Sequence, residues 1–134
     1  VKIINHTRIN NDILKLMVRK LTRGITKRIA TITFSYTKKH EYKGDIRFGF
    51  KMPIKVAFAK KESGFYPISM NVDRHVQFNF PKYDVNNEEE ACLVVLAHEI
   101  YHAKGRIFHR RSTEKMAENF AYKTLQKFRE KKEG

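Results

Sequence analysis

The chain has 134 residues, enough to bury one hydrophobic core but not two, so a single domain over residues 1–134 is expected. A hydrophobic fraction of 41% with ten Phe excludes a disordered chain, while 28 Lys and Arg against 14 Asp and Glu give a net charge of +14. Such a field draws polyanions, so nucleic acid or an acidic protein surface is an expected partner; the scatter of these basic residues along the chain suits a solvated surface equally well.

The start, Val1 to Arg8, lacks the apolar run of a signal peptide, and a start at Val leaves a removed upstream segment open. No stretch reaches the roughly 20 apolar residues of a membrane span, so no membrane partner is expected. After Asn10-Asn11-Asp12, good helix caps, Ile13, Leu14, Met17, Val18 and Leu21 recur at helical spacing before Gly24. From Ile29 to Tyr36 the period becomes two, with Ala30, Ile32, Phe34 and Tyr36 on one face and Thr31, Thr33 and Ser35 on the other. Four further runs alternate in the same way: Ile46/Phe48/Phe50, Ile54/Val56/Phe58, Tyr66/Ile68/Met70 and Val76/Phe78/Phe80. Turn signals at Lys43-Gly44-Asp45, Met52-Pro53, Ser63-Gly64 and Asp73-Arg74 separate them. An antiparallel sheet of about five short strands is therefore expected, lying wholly before the next helix.

Pro81 closes the strand region, and Asn86-Asn87 before Glu88-Glu89-Glu90 supplies caps and acidic charge for a helix from about Glu88 to Lys104, with Gly105 as its stop. Leu93, Val94, Leu96, Ala97 and Ile100 make this helix apolar on most sides, hence buried. Cys92 within it cannot form an intramolecular disulfide and reads as a buried thiol, which suits a reducing, cytoplasmic setting. A last helix opens near Ser112-Thr113 and runs through Phe128. The fold class is α+β.

Chemistry concentrates in His98-Glu99-Ile100-Tyr101-His102. Histidines four apart project from one helix face and can close on one metal ion, and Glu99 beside them is placed to take a proton from water held there. Two histidines and a glutamate in an otherwise apolar helix are costly unless something satisfies them. A catalytic zinc site needs a third protein ligand. Glu114 is favoured, because it heads a stripe continued by Ala117, Ala121, Leu125 and Phe128, and a carboxylate facing the core asks for a cation. Glu118, one turn on, suits a carboxylate that orients a ligand histidine, or is itself the ligand. His109 is the other rival; Gly105 suggests the metzincin pattern HExxHxxGxxH, whose last histidine would fall at Phe108.

The segment from His98 to Ala121 resembles the zincin metallopeptidases, in particular the glutamate-ligand branch represented by thermolysin. The string Glu114-Lys-Met-Ala117-Glu118-Asn-Phe120-Ala121 is similar to the ExxA(D/N)xFA signature of the ImmA/IrrE-type metallopeptidases, with Glu118 where Asp or Asn is usual. The resemblance implies a zincin-like fold, one zinc ion held by His98, His102 and Glu114, and Glu99 as general base in peptide-bond hydrolysis of a protein substrate. Tyr101, Tyr122 and His109 are candidate electrophiles for the tetrahedral intermediate. It also implies that the strand running up to the active helix pairs with an extended peptide. A different class fits the charge: a basic nucleic-acid-binding domain with a structural or vestigial metal, in which Phe48, Phe50 and Phe58 among Arg47, Lys51 and Lys55 stack on bases. A protease recruited to nucleoprotein would combine the two.

Overall fold

Three caps set the helices. Asn10 accepts a hydrogen bond from the Asp12 N–H at 2.7 Å and opens α1 (Asn11–Leu21). Asn87 accepts from the Glu90 N–H at 2.9 Å and opens α2 (Glu88–Ile107), whose first turn carries three glutamates where the helix dipole favours them. Thr113 accepts from the Met116 N–H at 3.2 Å ahead of α3 (Glu114–Glu133). The strands are β1 (Lys2–Asn5), β2 (Ile29–Thr37), β3 (Lys43–Ile46), β4 (Met52–Lys61) and β5 (Gly64–Phe65). This computed structural model describes residues 1–37, 43–46, 52–61, 64–65 and 87–133.

The sheet is mixed, which overturns the expected antiparallel arrangement and with it the zincin-like layout built on it. Its order is β1-β2-β4-β3, with β5 on β4. β1 runs parallel to β2 and β2 parallel to β4, whereas β3 and β5 pair antiparallel with β4. Alternation identifies a strand but says nothing of its direction. The N-terminal Lys-Ile-Ile-Asn run is too short to show alternation, yet it forms β1, and a strand joined to the next through a helix pairs with it in parallel. The runs expected at 66–70 and 76–80, and the part of the Ile46 run beyond β3, lie outside the described residues. So does the strand expected to line the site.

One face also differs from simple alternation. The register between β2 and β4 shifts between Ile29 and Thr31, so Ile29 is buried with Ile32 and Phe34 while Ala30 is only half-buried. A bulge of this kind turns one residue to the other side. Ile32, Phe34, Ile54 and Val56 then present an apolar face. α2 packs on β3, β4 and β5 and is flanked by α1 and α3, so every residue from Glu90 to Ile100 is buried.

α2 and α3 form an antiparallel hairpin. At its far end Arg129 forks onto Glu90, with Nη2 2.8 Å from Oε1 and Nε 3.2 Å from Oε2. Ala117, Ala121 and Leu125 fill the seam with α2 and are fully buried. At the near end α2 does not stop at Gly105. It runs to Ile107, with Phe108 as C-cap and His109 in the left-handed conformation at φ 54°. The Arg110 N–H donates to the Gly105 carbonyl at 2.7 Å and the His109 N–H to Arg106 at 3.4 Å, the paired bonds of a Schellman ending. Among the described residues no helix is long and apolar enough to cross a membrane.

Candidate metal centre

Because the hairpin is antiparallel, two residues one turn apart on α2 meet two residues one turn apart on α3. His98 and His102 face Glu114 and Glu118. The His98 Nε2 lies 3.1 Å from Glu114 Oε2, and the His102 Nε2 lies 2.9 Å from Glu114 Oε1. The two Nε2 atoms are 3.2 Å apart, with the rings edge to face at 67°. His98, His102 and Glu114 thus form a group that can hold a metal ion.

The spacing fits such a group. A tetrahedral ion about 2.0–2.1 Å from each donor keeps its ligand atoms roughly 3.3 Å apart, close to the 3.2 Å between the two Nε2 atoms, with a different Glu114 oxygen beside each ring. Each far ring nitrogen has an oxygen close by. His98 Nδ1 lies 2.6 Å from Glu118 Oε1, and His102 Nδ1 lies 2.6 Å from Ser112 Oγ. A neutral ring with its proton on Nδ1, on the side of those oxygens, leaves the Nε2 lone pair for a cation.

Electrostatics point the same way. Burial alone pushes the His98 imidazole down, but hydrogen bonds to Glu114 and Glu118 and the charges of both carboxylates overcome it and hold the group at about 9. Hydrogen bonds from His102 and His98 hold the Glu114 carboxyl well below the usual carboxylate range. The pocket therefore favours positive charge at its centre, as a proton or as a metal ion.

Burial corrects the argument that singled out Glu114. Its side chain is 67% exposed, and the deeply buried carboxylate is Glu118, at 1%. The helical stripe through Ala117 and Ala121 does face the core, but Glu114 stands at its open end in the first turn of α3. Its selection rests on convergence with the two Nε2 atoms. Glu118 Oε1 lies at the outer nitrogen of His98 instead. His109 is exposed and caps α2, apart from the donor group. Glu99 is buried at 7%. Tyr101 packs on Phe120 with ring centroids 5.4 Å apart, and the Tyr122 hydroxyl accepts a hydrogen bond from Gln126 Nε2 at 2.6 Å. Phe48 and Phe50, considered for base stacking, lie outside the described residues. Cys92 is fully buried and its thiol is pushed well up by that burial, so it stays an un-ionised packing residue.

Sequence reasoning treated Ser112 only as a helix cap. Thr113 does the capping, and Ser112 holds His102. The signal was Gly105, three residues after His102 on the same helix face. A Cβ built there would stand 2.7 Å from Ser112 Cβ and 3.3 Å from the Arg110 carbonyl oxygen. The absence of a side chain lets the 108–112 loop close over α2 and bring Ser112 to the ring.

A recess of about 400 Å³, lined by His102, Gly105, Arg106, Arg110 and Ser112, opens beside the donor group. A larger one of about 630 Å³, bounded by Leu16, Lys20, Phe128 and Lys131 among others, lies between α1 and α3 and shares no residue with the donors. No protein-family model, curated protein or solved structure matches the chain.

Proposed function

We propose that this protein is a zinc-dependent metallopeptidase of the glutamate-ligand type, hydrolysing peptide bonds of a protein substrate. The observation that carries the reading is the convergence of His98 Nε2, His102 Nε2 and a Glu114 carboxylate oxygen, with the far nitrogen of each ring held by Glu118 and Ser112. Two imidazoles and one carboxylate are a donor set of catalytic zinc, and three protein ligands with Glu114 on the exposed side leave a position for water and substrate. The peptide bond as target rests on the likeness of residues 98–121 to the zincin peptidases.

A bound zinc ion supplies Lewis acidity, which polarises a carbonyl and acidifies water. The chain's residues do the rest. With a cation at the two Nε2 atoms, His98 and His102 would be oriented by the oxygens at their Nδ1 atoms, Glu118 Oε1 for His98 and Ser112 Oγ for His102. Glu114 contributes the negative charge that favours a divalent cation over a neutral ligand. Glu99, next to His98, takes the proton of the attacking water and returns it to the leaving amine.

The test is metal analysis of the purified protein together with a peptide-hydrolysis assay. About one zinc per chain, lost in His98→Ala, and hydrolysis that falls at least about a hundredfold in Glu99→Gln while the metal stays, are expected. Full metal content in a His98→Ala/His102→Ala variant, or an active Glu99→Gln enzyme, would reject the assignment.

A further inference from the structure

Beside the donor group, the recess walled by His102, Gly105 and Ser112 also contains Arg106 and Arg110 and, among the described residues, no acidic one. We infer that this recess is a subsite for an acidic side chain of the peptide substrate, whose carboxylate is received by Arg110. The inference rests on the peptidase reading and adds a substrate class to it.

The Arg110 guanidinium lies over a ring of its own loop. Its carbon lies 5.1 Å from the centroid of the Phe108 ring, and its backbone N–H is fixed to the Gly105 carbonyl by the Schellman ending. Among the described residues it meets no carboxylate, unlike Arg129, which is spent on Glu90. A planar guanidinium stacked on an aromatic ring keeps its fork of N–H donors free for a bidentate acceptor. Arg106 lies on the same wall.

The position matters as much as the charge. The recess includes His102 and the serine that orients it, so a group seated there is next to the bond being cleaved. Its volume of about 400 Å³ suits one side chain rather than a nucleic-acid strand. The device that builds the site also builds the subsite: Gly105 admits the loop, the loop brings Ser112 to His102, and the same turn carries Arg110 to the rim.

The test uses the full chain carrying Glu99→Gln, with zinc added, so that bound peptide is not cut. Fluorescently labelled capped pentapeptides with one Glu scanned through each position are compared with their Gln counterparts by anisotropy. One register is expected to bind about tenfold tighter with Glu than with Gln. That preference should fall to about twofold or less in Arg110→Ala and persist in Lys27→Ala, which removes the same charge from an exposed site outside the recess. No discrimination in any register, or equal loss in Lys27→Ala, overturns the subsite. So does an oligonucleotide that binds through Arg110 when no peptide pair is distinguished. Hydrolysis by the unsubstituted chain is read separately: cleavage without discrimination rejects the subsite alone, and discrimination without cleavage rejects the peptidase reading alone.

Discussion

His98 and Glu118 meet across the α2–α3 hairpin with Nδ1 and Oε1 2.6 Å apart, and both side chains are almost fully buried. Glu118 therefore acts on any metal through the ring it orients. Glu118→Ala is expected to weaken zinc about ten- to a hundredfold without abolishing binding. It should also lower stability, because the His98 ring loses its partner in a closed seam. Competitive chelator titration beside a thermal melt checks both. Unchanged affinity in Glu118→Ala would mean that the contact orients nothing.

Glu114 should behave in the opposite way. With 67% of its side chain exposed, Glu114→Ala removes little packing and leaves a good helix former in the first turn of α3. Zinc affinity should fall at least about a hundredfold, and the metal-free protein should lose stability only below the pH at which His98 deprotonates, because Glu114 does most to hold that ring protonated; above about pH 9 the melting temperature should stay within a few degrees. A large fall in stability with normal metal content would exchange the roles of the two glutamates.

That exchange shows how far the sequence could be read. His98 and His102 are local partners, one turn apart, and their shared face follows from helical geometry alone. The partners on α3 depend on the hairpin, so the spacing of Glu114 and Glu118 was visible but their burial was not: the stripe through Ala117 and Ala121 passes under one and ends at the other. Helices with strong periodicity and good caps, such as that after Asn10, were legible for the same local reason. Sheet direction was not, because the alternation at Ile54/Val56 would be the same in a parallel or an antiparallel strand. Ser112 was hidden because it reaches His102 through a loop, and only Gly105 marked the close approach.

Proton and metal should compete for the centre. In the metal-free protein His98 sits at about 9, above the 6.5 of an unperturbed histidine, so its stabilisation is complete below about pH 6.5 and is lost as pH rises through 9. Glu114 is depressed below 4.5, so its contribution is present above that value and is lost on acidification. Metal-free protein should therefore be most stable between about pH 5 and 6.5, losing on the order of 3 kcal/mol by pH 9 to 10. Zinc affinity should follow the reverse trend, rising about tenfold per pH unit from 7 and levelling near 9. Urea unfolding of the metal-free protein and chelator titration across this range give the two curves. Flat stability between pH 6 and 9 would contradict the charge balance assigned to His98.

The far end of the hairpin is tied by an ion pair of its own, between Arg129 and Glu90. Arg129→Ala leaves Glu90 buried at 5% without the guanidinium that forks onto it. Arg129 is itself partly exposed, so the expected cost is about 2–3 kcal/mol, below the roughly 3–5 of a fully buried pair. The α2–α3 seam should loosen most, seen as faster amide exchange along α3, with little change in zinc affinity. A large loss of zinc affinity from this remote site would show that the donor group depends on the whole hairpin.

Gly105 links the helix to the donor group, and its substitution separates two effects that usually travel together. In an exposed helix interior Gly→Ala gains about 0.5–1 kcal/mol, so propensity alone makes Gly105→Ala stabilising. Here the new Cβ would stand 2.7 Å from Ser112 Cβ, closer than carbon atoms pack, so the loop must retreat and Ser112 Oγ must leave its place 2.6 Å from His102 Nδ1. Gly105→Ala is thus expected to change overall stability by less than about 1 kcal/mol while weakening zinc about tenfold, as loss of an orienting partner does. Ser112→Ala should weaken zinc by a similar factor with no clash, since it deletes the hydroxyl and keeps the Cβ. The clash itself is exposed by pairing the glycine change with Ser112→Gly. In Gly105→Ala/Ser112→Gly the offending Cβ is gone, and stability should exceed the sum of the two single effects by about 1 kcal/mol, a coupling expected only of groups in direct contact. Additive stabilities in that cycle, with normal zinc affinity in Gly105→Ala, would show that the loop can move away without disturbing His102.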